Sequence, residues 1–457
     1  MRRTVFLDIV GLSPALLTDM PALRDWAQTA TCLPLTPSLP AVTSTVQAGF
    51  LTGTPPSRHG IVGNGWYSRD DCEIRFWRRS SANIQAPLIW DVARQRDPRF
   101  TCANLFFMHA MFSSCDWTVA ARPSYPADGR KIPDCYGKPD ALRHELQREL
   151  GPFPLFRFWG PGAGIESTRW IVNAALHIDQ RFAPTLMLVY LPHLDYPMQR
   201  LGRKPAVLRD DLLALDREVA RLVGHFDRRG VQVVIASEYG IDNVNQPVHL
   251  NRVLRDAGML TIREELGREL LEPGDSSAFA VADHQLAHIY VNDHSRLAEV
   301  KRLVEQTSGV QRVYDRSTRG ELGLDHPRSG ELIALASPGA WFTYYYWLDD
   351  ARMPDFARTV DIHRKPGYDP CELFLDPAGS LMPLRLASKL LRRKLGFRTL
   401  LDVIPTDATL VHGSHGLLPG DPEHGPLLLT RAPRHLPTET ITAEQVFGVL
   451  LDHVFAG

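Results

Sequence analysis

Short, almost wholly apolar runs alternate along this chain with longer stretches of helical spacing. Residues 5–10, 100–107, 186–191 and 231–236 are dominated by Val, Ile, Leu, Phe and Met, as strands covered on both faces of a parallel sheet are. Between them, residues 16–27, 44–51, 88–94, 169–182 and 208–229 place apolar positions three and four apart, the spacing of helices with one buried face. A strand at 427–430 and a helix at 443–455 close the pattern. Such alternation predicts an α/β three-layer sandwich with a mainly parallel central sheet.

The grammar changes near residue 278. A strand at 287–291, a helix at 295–306 and a strand at 310–314 predict a small α+β cap over the sheet, within 278–340. Residues 341–406 are richer in aromatics and proline, including the run Phe342-Thr-Tyr-Tyr-Tyr-Trp347. They are expected to form an insertion near the site. Residues 344–347 could stack a base or ring, but an aromatic strand in the core is the more frequent outcome for such a stripe. Residues 385–394 form a basic segment of helical pattern, expected to be a solvated face. Residues 1–265 and 407–457 are then the α/β core.

Composition narrows the partners. The chain has 457 residues, 44% hydrophobic and 23% charged, with a formal net charge of −1. No global field recruits a nucleic-acid polymer or an anionic membrane, so a phosphorylated ligand would need a local site. The six cysteines form no C-x-x-C pair, and the apolar run after Met1-Arg-Arg is too short for a signal segment. A cytoplasmic protein is the expectation. Oligomeric state is left open.

One segment carries more chemistry than the rest. Pro40-Ala-Val-Thr-Ser-Thr-Val-Gln-Ala-Gly-Phe-Leu-Thr-Gly53 leads from a Pro-rich loop into a helix, and Arg58-His-Gly-Ile-Val-Gly-Asn64 follows. A hydroxyl at a helix start lies beside unpaired N–H groups that favour an anion. Ser and Thr are also ordinary helix caps, so the residues alone leave a plain capped helix open. Acids at predicted strand ends (Asp8, Asp195, Glu238) would meet at the carboxyl edge of a parallel sheet, where ligands bind.

Together with Gly413-Ser-His-Gly416 and Tyr190-Leu-Pro-His-Leu-Asp195, this run resembles the nucleotide pyrophosphatase/phosphodiesterase family of the alkaline phosphatase superfamily. The resemblance implies a hydrolase cleaving a phosphodiester, pyrophosphate or related phosphoryl bond through a covalent phosphothreonine. Thr43 would be the nucleophile and Asn64 would hold a phosphoryl oxygen. It also implies divalent metal ions on Asp8, Thr43, Asp195, Glu238 and His415. Zinc is the first expectation, with Mn or Mg favoured by an oxygen-richer ligand set. Two family imidazoles are replaced here by Gln199 and Tyr239. Asp361 and His363, alternate positions on an extended segment, are expected to compensate as ligands. Gln199, Tyr239, His249, His284 and Lys365 are candidates for a supporting shell. The alternatives are a phosphomonoesterase or phosphonate hydrolase, or a non-catalytic protein binding a phosphorylated ligand with a degenerate metal site.

Overall fold

The computed structural model describes residues 1–127, 130–377, 387–389, 391–392, 395, 397, 399–432 and 436–455. Much of the basic segment 385–394 lies outside the described residues. The centre is a nine-stranded sheet. Its middle five strands, Gln232–Ala236, Thr4–Ile9, Leu186–Leu191, Cys102–Leu105 and Trp117–Ala121, run parallel in that order. Leu427–Thr430 joins antiparallel beside Gln232–Ala236 and leads to Thr31–Thr36 and Ile441–Thr442; Cys135–Lys138 closes the other edge antiparallel.

Every residue of Thr4–Ile9 and Leu186–Leu191 is buried, so both sheet faces are covered by helices. Ile165–Phe182, Pro205–Arg228 and Pro21–Ala27 pack in one group, and Thr43–Thr52, Ala443–Phe455 and Ile89–Arg96 in another. The helix expected over 16–27 is two: Pro14–Leu17 and Pro21–Ala27. Pro21 cannot supply the N–H that a continuous helix needs and instead starts the second one.

Thr43–Thr52 is buried along its whole length and stops at Gly53, whose φ of 64° is left-handed. A Cβ there would meet the Phe447 ring at 3.0 Å. Glycine thus serves both the chain reversal and the close approach of the two helices.

A second apolar core lies under a four-stranded antiparallel sheet in the order Ala278–Asp283, Leu286–Val291, Leu332–Ala336, Val310–Tyr314, with helix Leu297–Glu305. The strand–helix–strand pattern read at 287–314 is part of it, but its two strands do not pair, because Leu332–Ala336 lies between them. Tyr344, Tyr345, Tyr346 and Trp347 are buried in this core. They follow the short strand Ala340–Phe342, which pairs with Gln246–Val248.

Candidate active site

Asp8 lies near the end of its strand, in register with Tyr190 and Ala236 of the two neighbours. Glu238 comes two residues beyond Ala236, and Asp195 begins the helix Asp195–Leu201 after Leu186–Leu191. All three acids therefore leave the sheet at the same carboxyl edge. Thr43 enters from the first turn of its helix. Val42 is extended (φ −131°) and makes no side-chain cap, so the leading N–H groups depend on other partners. One is found: Ser44 N donates to Asn64 Oδ1 at 3.1 Å.

Asn64 is itself clamped. Its backbone N–H donates to Asp283 Oδ2 at 2.7 Å and its Nδ2 to Asp283 Oδ1 at 3.1 Å. One Nδ2–H remains for another acceptor. Asp8 is oriented by Gln47, whose Nε2 donates to Asp8 Oδ2 at 3.1 Å while its Oε1 accepts from Met108 N at 2.7 Å. Gln47 lies one helical turn after Thr43, on the same face. That i,i+4 spacing was the available sequence signal for it.

The carboxylates are crowded and dry. Burial raises Asp8 to about 7, and burial followed by the adjacent Asp8 charge lifts Glu238 well above the usual carboxylate range. The two carboxyls lie close enough for each to act on the other's ionisation, and Thr43 and Gln47 also act on Glu238. Burial likewise raises Asp195 to about 7.

At the places of the two missing imidazoles the structure puts a hydroxyl chain. Tyr239 OH is 3.1 Å from Thr43 Oγ1 and 3.4 Å from Asp195 Oδ1, and its ring stacks on His415 with centroids 3.6 Å apart. Tyr368 OH donates to Gln199 Oε1 at 2.8 Å. His415 Nδ1 is 2.7 Å from the Ala41 carbonyl, and Nε2 faces Asp195 at 3.8 Å. Burial holds His415 down to about 3, so the ring is neutral and Nδ1 carries the proton.

The imidazole that meets His415 is His284, at 3.6 Å between centroids, with Tyr368 stacked 3.7 Å away on it. His284 sits in the tight turn joining Ala278–Asp283 to Leu286–Val291, with φ 62°. A left-handed conformation costs a non-glycine residue about 1 kcal/mol or more. Here it aims the ring into the site.

Asp361 and His363 line the same cavity as Thr43, Asp195 and His415. Asp361 N donates to Glu372 Oε1, and His363 Nδ1 is 3.4 Å from the Phe76 carbonyl. Neither makes a hydrogen bond or ring contact with Asp8, Asp195 or His415. His249 bonds Thr343 and stacks on Tyr345 in the second core. Lys365 is buried between Asp369 and Glu372, at 2.7 and 2.9 Å, which satisfies its charge internally.

Among the described residues no three His, Cys, Asp or Glu side chains converge at metal-binding spacing. The Asp8–Glu238–Thr43 corner nevertheless fits a single cation. Asp8 Oδ1 and both Glu238 carboxyl oxygens are buried without any hydrogen-bond partner, a state that a hard cation relieves.

The raised carboxyls have a consequence for stability. Between an unfolded value near 3.8 and a folded value of about 7, Asp8, Asp195 and Asp283 bind more protons in the folded state. Folding stability supplied by protonation is then complete at low pH and lost as pH rises through 7. In chelator, the melting temperature should fall from about pH 5 to about pH 8, and added Mn²⁺ should restore part of it at the higher pH. A chelator melting curve that is flat or rises over this range contradicts the assignment.

The site opens into a cavity of about 2500 Å³, well above the few hundred to ~1,000 Å³ of ordinary small-molecule pockets. Thr43, Asn64, Asp195, Tyr239, His284 and His415 line it together with Asp361, His363 and several arginines.

Comparison with known proteins bears on the fold and the family. Phosphonoacetate hydrolase from Sinorhizobium meliloti, in complex with phosphonoacetate, superposes with a TM-score of 0.61 at 13% identity, covering 99% of this chain and 96% of that one. Murine ectonucleotide pyrophosphatase/phosphodiesterase 5, an inactive variant in complex with AMP, gives 0.60 at 12% identity, covering 99% and 95%. At these identities the likeness is one of fold. No curated protein matches significantly. No helix among the described residues is long and apolar enough to cross a membrane. A family model for type I phosphodiesterase/nucleotide pyrophosphatase matches residues 4–369. The chain therefore belongs to the type I phosphodiesterase/nucleotide pyrophosphatase family, a family of phosphohydrolases.

Proposed function

We propose that this protein hydrolyses a phosphodiester or pyrophosphate bond of a small substrate, with Thr43 as the nucleophile. The observation that carries the reading is the placement of Thr43. Its hydroxyl lies at a buried helix start, within 3.1 Å of Tyr239 OH and beside the Asp8–Glu238 pair.

A divalent cation held by Asp8, Glu238 and Thr43 would lower the pKa of the threonine hydroxyl and neutralise the two carboxylates. The chain itself supplies an exit for the proton. Thr43 Oγ1 donates to Tyr239 OH, which donates to Asp195 Oδ1, and Asp195 titrates near neutrality. As Oγ1 attacks phosphorus, the bond to the leaving oxygen breaks. Charge on the phosphoryl oxygens is met by the N–H groups of the helix start and the free Nδ2–H of Asn64. Water then releases the phosphoryl group from Thr43.

The oxygen-rich corner supports Mg²⁺ or Mn²⁺ over Zn²⁺. Turnover of bis(p-nitrophenyl) phosphate with each metal, alongside bound metal per chain, tests the reading. At least one cation per chain and diester turnover are expected. Stoichiometric absence of metal and no turnover would instead make this a binding protein. Preference for a phosphonate over the diester would move the substrate class within the superfamily.

Asn64→Ala should lower kcat about 10²- to 10³-fold, as loss of one oxyanion donor does. Asp283→Ala should lower kcat in the same direction, because Asn64 then loses both clamping bonds. If Asp283→Ala leaves kcat untouched while Asn64→Ala does not, the clamp is not what positions the donor.

A further inference from the structure

The walls of the cavity carry more positive charge than the site itself explains. Arg78, Arg79, Arg122 and Arg157 all line it, and none makes an ion pair among the described residues. Arg143, also on the wall, is neutralised by Asp134, and Arg364 is paired with Asp355.

Arg79 differs from the other three in its surroundings. Among the described residues its side chain makes one hydrogen bond, from Nη1 to the Ala121 carbonyl at 2.9 Å. Its charge is felt by Tyr125, Tyr190, Tyr196 and His363, which share the cavity lining with Thr43 and Asp195, and by the buried His109. Asp361 acts on Tyr125 and His363, but it makes no ion pair with Arg79. A guanidinium has five donors in a planar fork that suits phosphate or carboxylate. Most of these donors make no bond to the protein here and are open to an anion in the cavity.

The backbone shows that the position is built. Arg79 follows the hairpin Gly65–Ser68/Glu73–Phe76 by way of Trp77, which is held at φ 59°. Trp77 N donates to the carbonyl of Asn64 at 2.9 Å. The turn that presents Arg78 and Arg79 is therefore tied directly to the residue facing the phosphoryl group. Strain of this kind in a non-glycine residue persists where the surrounding structure demands it.

We propose that the substrate carries a second anionic group beyond the reacting phosphorus, a carboxylate or a further phosphate, and that Arg79 receives it. This rests on the hydrolase reading above and names its substrate class. The large cavity has room for the substituent. Tyr125 and Phe156, both exposed on the lining at 60% and 51%, flank the path with aromatic surface.

The experiment is a binding comparison that needs no turnover. Calorimetry on the metal-loaded protein compares phosphonobutyrate, which has a carboxylate at the far end of its chain, with propylphosphonate, the same chain without it. Wild type should bind phosphonobutyrate about 10- to 100-fold more tightly, the value of a charge-assisted pair. Arg79→Met should remove that preference and leave propylphosphonate affinity unchanged, and Arg79→Lys should restore part of it. Equal affinities in wild type overturn the proposal, and so does a preference that survives Arg79→Met. Because diester turnover is measured separately, loss of the hydrolase reading and loss of this one give different results.

Discussion

Thr43→Ala should reduce turnover of bis(p-nitrophenyl) phosphate by at least ~10⁴-fold, with the fold intact. Thr43 is 5% exposed, and its side chain loses one hydroxyl and one methyl in the exchange. The hydroxyl's bond partner, Tyr239, keeps Asp195 as an acceptor, so the structural cost should be modest, about 1 kcal/mol. Substrate binding should persist, since the Asn64 amide and the helix-start N–H groups remain. A fall in kcat with a nearly unchanged dissociation constant is therefore expected, checked by initial rates and by circular dichroism. Thr43→Ser should retain measurable turnover because it keeps the oxygen. Wild-type rates in the alanine variant would end the nucleophile assignment.

Asp8→Asn should have opposite effects on function and on stability. Asp8 and Glu238 are adjacent carboxyls without a countercharge, and each raises the cost of ionising the other. Replacing one by a neutral amide relieves that repulsion. In chelator above pH 7, the variant should melt higher than wild type. It should also bind Mn²⁺ at least about 10- to 100-fold more weakly and lose most of its turnover. Calorimetric metal titration and melting curves at two pH values check both halves. A variant that melts lower in chelator yet binds metal normally contradicts the role given to this pair.

Much of the α/β core was legible in the sequence because its strands are buried on both faces. Such strands appear as continuous apolar runs, and Leu186–Leu191 has the boundaries the sequence suggests. Pro21 and the strand Leu332–Ala336 were not given their full weight. The first splits a helix; the second comes between two strands that sequence order makes neighbours.

In the site, the three strand-end acids could be placed on one sheet edge from topology, whereas Thr43 and His415 were legible only through the family resemblance. The replacement of imidazoles by Tyr239 and Gln199 was visible, but what those residues do was not. Their partners are long-range: Tyr239 meets Thr43 across 196 positions, and Tyr368 meets Gln199 across 169. His284 depends on a hairpin whose first strand, Ala278–Asp283, was not read from the pattern, and on a left-handed backbone that no periodicity signals. Asp361-Ile-His363 had the right spacing for two ligands on one face, yet spacing fixes only relative direction. The long-range partners of this segment, Glu372 for the Asp361 N–H and the Phe76 carbonyl for His363, are not signalled by spacing.

The most direct test of a covalent Thr43 mechanism is the stereochemistry at phosphorus. A single diastereomer of a p-nitrophenyl phosphorothioate diester is hydrolysed in heavy-oxygen water, and the configuration of the product is read. Attack by Thr43 followed by attack of water is two in-line displacements, each inverting the centre, so net retention is predicted. Net inversion would mean that water attacks the substrate directly, and Thr43 would not be the nucleophile.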